Sequence, residues 1–343
     1  MAHRTLCSSL LLLTAIFSQP GHAAKTDIVV LVNGNAVTGE VKELEFGSLR
    51  YSTDSMGTVR IDWEDVVSLT SNQALQIELS DGNRYFGSLL APDDRFSLRI
   101  NTASQTLSFP ANQVVRITPI DTADKFWQRL EGSFSLGLQA QKSSEVTTSN
   151  LAADISYRSQ TYLVGLKLNS TVTDQPSEET KARQSVELNY QRFRANRWFT
   201  DWFSRWERND ELGIQDRTAV GGALGRYFVQ TNKNQFSLAA GVQGARTSYI
   251  GDDQSANQAE GRIEIRYLHR NLAPEAYFTF TSKIYPLLED LSQYRAETDM
   301  SFRREVVEDL FLDLTIGHSY ISDPPTGASS VDYNITTSVG YSF

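Results

Sequence analysis

The sequence predicts an all-β protein in which a C-terminal antiparallel transmembrane β-barrel of about 12 strands follows a small duplicated β domain. Three observations predict this class. The N-terminus has the pattern of a secretory signal peptide, the last strand alternates between apolar and polar residues, and the chain from about residue 131 onward divides into strand-length segments. A closed barrel can cross a membrane because it satisfies every backbone hydrogen bond internally.

Residues 1–23 are predicted to be a signal peptide. A short basic start precedes an apolar run from Leu6 to Phe17, which is too short to span a bilayer, and small residues surround a cleavage point after Ala23. The alternative is an N-terminal core helix, but the order of these features favours a signal peptide. Cys7 would leave with it, so we expect neither a disulfide nor thiol chemistry in the mature chain.

The C-terminal residues predict a strand with one apolar face. The residues of this face are Tyr333, Ile335, Thr337, Val339, Tyr341 and Phe343. A last strand that ends in Phe resembles the C-terminal signal of bacterial outer-membrane barrels. The resemblance implies that Tyr341 and Phe343 are read by the barrel-assembly machinery. An edge strand of a soluble sandwich is the alternative.

Composition excludes two classes. No mature segment has 18 consecutive apolar residues, so no transmembrane helix is predicted. The net charge of −9 gives no basic footprint for nucleic acid. The mean hydropathy of −0.35 does not exclude a barrel, because lipid-facing and lumen-facing residues cancel in the average.

Residues 25–120 contain two similar halves about 48 residues apart. Ile28–Asn35 matches Leu75–Asn83, and each segment ends in an Asn-Gly or Asp-Gly turn typical of a hairpin. Each half resembles the Sm-like or SH3-like barrels. We do not expect RNA binding, because the protein is acidic and the family's RNA-contacting positions do not align. We predict a structural or docking module with periplasmic or cell-wall partners, in which Trp63 is a core residue.

The barrel domain is predicted over residues 125–343. Its short and long connectors alternate, as do the periplasmic turns and external loops of outer-membrane barrels. An even strand count places both barrel ends, and therefore the first domain, in the periplasm; ten strands is the alternative. The predicted strands are 132–141, 149–158, 161–172, 183–193, 197–208, 217–229, 235–248, 259–270, 275–286, 294–304, 310–321 and 331–343.

Charged residues at alternate positions must face the lumen, because at the bilayer midplane they cost roughly 2–4 kcal/mol each. Such mixed charges either pair across strands and fill the barrel, or line a narrow selective pore. The segment 217–229 gives no clear face. The predicted lumen residues are Arg262, Glu264, Arg266, Lys283, Arg295, Glu297, Asp299 and Arg303. The predicted aromatic girdles comprise Tyr162, Trp198, Trp202, Trp206, Tyr227, Tyr267, Tyr333 and Tyr341.

Three segments carry a family resemblance. They are Trp127–Ser133, Trp206–Glu211 and Gly221–Phe228. They resemble the salt-induced outer membrane protein family, a domain of unknown function, over about residues 125–343. The resemblance implies location and fold but no chemistry. The family's usual Gly-Asn-Thr after the first strand is replaced here by Lys142-Ser143-Ser144.

No catalytic, metal or cofactor site is predicted. The mature chain has two histidines, His269 and His318, which alternation places on the lipid side near opposite ends of the barrel, so they cannot share a site. Asp252 and Asp253 are interpreted as part of a solvated loop. We therefore predict a Gram-negative outer-membrane barrel that is a small channel or a stress-related envelope protein. The alternative is a non-conducting anchor or adhesin.

Overall fold

The computed structural model describes residues 25–120, 130–141, 146–176, 179–251, 255–272, 275–307, 309–325 and 328–342. The predicted signal peptide, Asp252 and Asp253, Phe343 and the start of the Trp127–Ser133 motif lie outside this part of the chain. Two three-residue 3-10 helices interrupt an otherwise all-strand fold. None of the described helices is long and apolar enough to cross a membrane.

The N-terminal domain is a sheet of nine antiparallel strands that curls around one core. Its first eight strands lie in the order β4-β3-β2-β1-β5-β6-β7-β8, and β9 pairs with both β2 and β5. The strands are β1 (Asp27–Leu31), β2 (Ala36–Glu45), β3 (Ser48–Ser52), β4 (Thr58–Asp62), β5 (Val66–Leu79), β6 (Arg84–Leu90), β7 (Ser97–Thr102), β8 (Thr106–Pro110) and β9 (Val114–Pro119).

The two predicted halves carry matching backbone features. Gly34 and Gly82 both have φ of +85° in the turns of the β1–β2 and β5–β6 hairpins, a conformation that glycine adopts without steric cost. A 3-10 helix follows β4 at Trp63–Asp65, and another follows β8 at Ala111–Gln113. The Trp63 indole is 2% exposed and donates a hydrogen bond of 2.7 Å to the Ala111 carbonyl, so it ties the two helices together. The likeness of each half to an SH3-like barrel stays a prediction.

The halves also exchange strand pairing. In β2, Leu44 lies opposite Ile117 of β9, and in β6, Leu89 lies opposite Ser71 of β5. Each half therefore hydrogen-bonds to the last strand of the other. Both halves contribute to one core, whose fully buried members include Val29, Val41, Leu44, Leu49, Leu69, Leu75, Ile77, Ile100 and Ile117.

The second domain is a closed barrel of 12 antiparallel strands, which confirms the predicted class and strand number and excludes ten strands. Closure is made by β10 and β21, where Phe134 lies opposite Tyr341. The strands are β10 (Leu130–Gln141), β11 (Val146–Arg158), β12 (Tyr162–Asp174), β13 (Lys181–Phe193), β14 (Trp198–Asn209), β15 (Ile214–Gln230), β16 (Asn234–Tyr249), β17 (Ser255–Leu272), β18 (Glu275–Pro286), β19 (Tyr294–Val307), β20 (Leu310–Ile321) and β21 (Val331–Ser342).

Alternation gives the barrel an apolar outer surface. Successive side chains of a strand point to opposite faces, so one residue type repeats at every second position. The outward side chains of β10, β20 and β21 are examples of exposed apolar residues: Phe134, Leu136, Leu138, Leu310, Leu312, Leu314, Ile316, Tyr333, Ile335, Val339 and Tyr341.

Glycines of β15 explain why its sequence shows no clear face. Gly225 lies opposite Phe199 and Gly221 opposite Phe203, and both aromatic rings point into the barrel. A Cβ on Gly225 would lie 2.2 Å from the Phe199 ring, so only glycine leaves room for it. The inner face of β15 is therefore small because its neighbour's rings cover it.

Tyr227, which was predicted to belong to an aromatic girdle on the outer surface, lies on the inner face of the barrel. The Tyr227 ring points inward and packs 5.0 Å from the Phe199 ring, and its hydroxyl accepts a hydrogen bond from Gln191. Tyr227 is in phase with Gly221 and Gly225, which also face inward, and the register shift of β15 begins only after it. The sequence prediction missed this position because the small residues of segment 217–229 show no clear face. Trp198 and Trp202 lie on the outer surface, as predicted, with 40% and 61% exposure.

The shared core predicts that one large side chain supports both halves of the N-terminal domain. We expect Leu44→Ala to lower the free energy of unfolding of this domain by about 2–5 kcal/mol, because it leaves a cavity beside Ile117. Leu90, which is 37% exposed, is the control, and Leu90→Ala should cost less than about 1 kcal/mol. Thermal unfolding followed by circular dichroism measures both. Equal losses would contradict the shared core.

Candidate functional site

The lumen contains a cavity of about 1790 Å³ that runs along the barrel axis. We call the barrel end with the short connectors the turn end and the end with the longer connectors the loop end. The lining of the cavity begins at residues of the N-terminal domain such as Met56, follows the inner wall of the barrel and reaches Asn209 and Leu212 near the loop end. The barrel is therefore not filled by side chains throughout. The position of this cavity relative to the lumen charges decides whether the barrel has an open path for solutes.

The structure places all eight predicted lumen residues on the inner face of β17, β18 and β19. Arg262 and Glu264 are buried, each at 3% exposure, whereas Lys283, Arg295, Glu297, Asp299 and Arg303 also line the cavity. Arg266 lies on the same face and pairs with Glu264 at 2.5 Å.

Ion pairs cross the lumen between opposite walls. Arg205 of β14, the fifth barrel strand, contacts Glu297 of β19, the tenth, at 2.6 Å and Glu207 of its own strand at 2.9 Å. Arg295 returns from β19 to Glu207, and Lys283 of β18 reaches Glu187 of β13 at 3.1 Å. Arg205, Glu207 and Glu187 were missed by the sequence analysis. Their alternation with Trp202, Trp206 and Leu188 was the available signal.

A second group of side chains fills the lumen beside β15, β16 and β17. Arg217 pairs with Glu260 at 2.6 Å, and Gln243 donates to the same carboxylate at 2.6 Å. The Arg262 guanidinium lies 3.7 Å from the centre of the Phe203 ring. Charged groups and an aromatic ring thus pack against one another and fill the lumen on this side.

Contacts also cross the lumen at the loop end. Arg183 of β13 donates to Asn334 at 2.8 Å and contacts Asp332 at 3.2 Å, both of β21. Asn209 donates to the same Asp332 carboxylate at 2.9 Å. The outer part of the lumen is narrowed by these bonds.

The open part of the lumen lies along β10 to β13 and β21. The lining here is small and polar, and includes Asn150, Asn169, Thr171, Ser185, Thr336 and Ser338. Asp154 and Lys167 face each other across β11 and β12 at 3.4 Å, and their side chains remain 48% and 59% exposed. Since both line the cavity, this exposure is to the lumen, where water can reach the pair.

The N-terminal domain covers the turn end of the barrel. Arg50 pairs with Glu131 of β10 at 3.0 Å, and Arg158 at the end of β11 pairs with Glu45 at 3.3 Å. The turn between β15 and β16 joins on the far side, where Lys233 contacts Glu64 at 2.7 Å. Contacts around the rim from β10 to β16 hold the domain over the mouth.

Three carboxylates meet in this interface. Oxygen atoms of Glu43, Glu45 and Glu131 lie within 4.8 Å of one another, the one such acidic group in the described part of the chain. Arginines already contact them, with Arg50 at 4.0 Å from Glu43 and Arg116 paired with Glu45. The cluster is thus balanced by cations of the protein itself.

A family model described as "Protein of unknown function, DUF481" matches residues 134–343, more than half of the chain. The chain belongs to this family. The matched residues lie within the segment that the sequence analysis assigned to the barrel. The name salt-induced outer membrane protein stays a prediction. No curated protein shows significant sequence similarity to the chain.

Solved barrels are similar to this DUF481 chain at low identity. The NanC porin shares 11% identity with a TM-score of 0.40, over 62% of this chain and 98% of that one. The β domain of the Bordetella autotransporter BrkA shares 13% with a TM-score of 0.30, over 62% and 97%. A porin refined at 1.8 Å resolution shares 6% with a TM-score of 0.29, over 62% and 99%.

The cross-lumen ion pairs of this DUF481 barrel predict a large cost for losing one cation. We expect Arg205→Ala to lower the free energy of unfolding by about 1.5–3 kcal/mol, because Glu207 and Glu297 each lose a charged donor and are left to share Arg295 in a buried site. Lys167→Ala is the control and should cost less than about 1 kcal/mol, since water can reach its partner. Urea unfolding of the detergent-solubilised protein measures both. Similar losses of free energy in the two variants would contradict a larger contribution from the buried ion pairs.

Glu43 makes the domain interface sensitive to pH. Burial, then the neighbouring Glu45 and Glu131, raise the pKa of Glu43 from 4.5 to about 7, against the opposing effect of Arg116 and Arg158. A raised pKa gives stability that is fully present below pH 4.5 and is lost as the pH rises through about 7.

We therefore expect Glu43→Gln to raise the melting temperature of the N-terminal domain at pH 8 and to leave it nearly unchanged at pH 4. The corresponding gain in the free energy of unfolding at pH 8 should be on the order of 1–3 kcal/mol. Asp94→Asn, at an exposed position of the same domain, serves as the control and should change neither value. A Glu43→Gln gain of the same size at both pH values would show that the effect is not one of ionisation.

Proposed function

We propose that this protein is an integral outer-membrane channel of a Gram-negative bacterium, which passes small hydrophilic solutes along the open side of its lumen. The water-accessible Asp154–Lys167 pair in a cavity of about 1790 Å³ is the observation that carries this proposal. A barrel that is only structural would not require the wall of small polar side chains that leaves the lumen open along β10 to β13 and β21. The charges on β17 to β19 instead pair with one another and with β13 and β14, and fill the opposite side of the lumen.

The apolar outer surface and the alternating connectors support the membrane location and the orientation. A closed barrel with an apolar outer face fits lipid, and short turns in such barrels face the periplasm. The N-terminal domain sits at the turn end, so we place it in the periplasm, after removal of residues 1–23. The last strand, with Tyr341 on its outer face, would be read by the barrel-assembly machinery.

The path through the channel is controlled at both ends in this proposal. Arg183 and its partners narrow the outer part, and the N-terminal domain covers the periplasmic mouth. Solutes would leave around or beside this domain when its contacts to the rim loosen. The proposal includes no catalytic role. It includes no nucleic-acid partner either, because the protein carries a net charge of −9.

A second candidate function is favoured by the same covering domain. Its contacts around the rim also suit a non-conducting anchor that holds the domain against the barrel, where it docks periplasmic or cell-wall components. Single-channel recording in planar bilayers separates the two. A folded barrel that never conducts supports the anchor.

The lining predicts the ion preference of the channel. We expect Lys167→Glu to shift the reversal potential in a salt gradient toward cation selectivity and Asp154→Lys to shift it toward anion selectivity, because each replaces a water-accessible pair by two like charges. Arg246→Gln, on the outer surface, is the control and should leave the potential unchanged. Identical potentials for all four proteins would exclude conduction along this wall.

The covering domain predicts a dependence of conductance on its rim contacts. We expect Arg158→Glu to raise the fraction of time the channel is open, because it places a like charge against Glu45 and repels the domain. Arg50→Glu, which places a like charge against Glu131 of β10, should raise the open fraction in the same way. If the open fraction falls in these variants, the domain is part of the conducting path and not a cover.

A further inference from the structure

Charged residues on the outer surface of the barrel occur only near the ends of the described strands. At the turn end they are Arg192 of β13, Arg226 of β15 and Arg304 of β19, and all three are exposed. The described outward-facing strand residues at this end include no Asp or Glu. The turn end of the outer surface is therefore cationic, whereas the protein as a whole carries −9.

The loop end differs, because its outward surface carries acids as well as cations. Arg208 pairs with Asp210 at 2.7 Å, and Asp216 accepts a hydrogen bond from the Trp206 indole. Arg246, the remaining outward cation here, donates to Ser255 at 3.0 Å. Arg208 has a carboxylate partner of its own, and Asp216 adds negative charge to the same end, which makes the purely cationic turn end distinct.

Two of the turn-end arginines share one patch. Arg226 lies directly opposite Trp198 of β14, and its guanidinium is 5.7 Å from that ring and 5.9 Å from the Phe228 ring. Arg192 lies opposite Thr200, which is the next outward residue after Trp198 on the same strand. Two strand widths and one two-residue step separate the arginine Cα atoms by roughly 12 Å.

This arrangement fits the headgroup of an anionic phospholipid. Guanidinium groups bind phosphate through paired N–H donors, and the two arginines lie on the strands that flank the strand of Trp198. Trp and Tyr are the aromatic residues that lie at the level of lipid headgroups. The outward residues deeper on the same strands are Leu188, Trp202 and Leu224, an exposed apolar surface that acyl chains would cover.

We propose that Arg192, Trp198 and Arg226 form a binding site for the phosphate of an anionic phospholipid in the leaflet at the turn end of the barrel. The site needs only a barrel in a bilayer, so it stands or falls separately from conduction. Attraction of about 1 kcal/mol per arginine corresponds to roughly fivefold in affinity for each side chain.

Native mass spectrometry of the full-length protein tests the site. The protein is exchanged into mixed micelles with equal amounts of phosphatidylglycerol and phosphatidylcholine, and the lipids retained on the folded protein are counted. We expect preferential retention of phosphatidylglycerol, which Arg192→Gln with Arg226→Gln should reduce by roughly 25-fold. Arg208→Gln with Arg246→Gln is the matched control, with the same charge change at the loop end, and should retain the preference.

Three results would overturn the proposal. They are no lipid preference in the wild type, an unchanged preference in the Arg192/Arg226 double variant, and an equal loss in the loop-end control. If the patch served a protein partner, the wild type would show the first of these. Should the double variant fail to fold, as judged by heat-modifiable mobility on gels, Arg226→Lys keeps the charge and removes the paired donors. That variant should then lose part of the preference, and an unchanged value would again overturn the site.

Discussion

The alternation of side chains along twelve strands is the constraint on which this structure depends. An outer surface that lipid can accept leaves every second position for the polar residues, so the charges of all strands are brought into one lumen. A charge in that space is stable only when another charge or polar group faces it. The pairs that join Arg205 to Glu297 and Lys283 to Glu187 across the barrel follow from this requirement.

The lumen is divided because the polar residues are not evenly distributed around the ring. The wall from β14 to β19 carries long charged and aromatic side chains, which meet in the middle, and the glycines of β15 give Phe199 and Phe203 the room to do so. The wall from β10 to β12 carries mostly short polar side chains, which cannot reach across. A water-accessible path along one side is the consequence, and the proposed channel uses it.

The N-terminal domain and the barrel meet through charge in the same way. Arg50, Arg158 and Lys233 each contact a carboxylate of the other domain, and Glu43 is held among acids and arginines at the rim. Interfaces of this kind respond to pH and salt more than apolar ones do. The duplicated sheet is held together differently, since its halves exchange strands and share one apolar core.

The sequence by itself determined the strand number, the strand positions and the inward face of β17 to β19, because a period of two is a local property of the chain. It placed Arg262, Glu264 and Glu297 on the lumen side without any knowledge of their partners. Only the tertiary structure decided which charges meet, since Arg205 and Glu297 are 92 residues apart and their contact depends on closure and register. It also decided the inward position of Tyr227, because the small residues of its strand show no clear face in the sequence, and the docking of the first domain over the mouth, for which no local pattern exists.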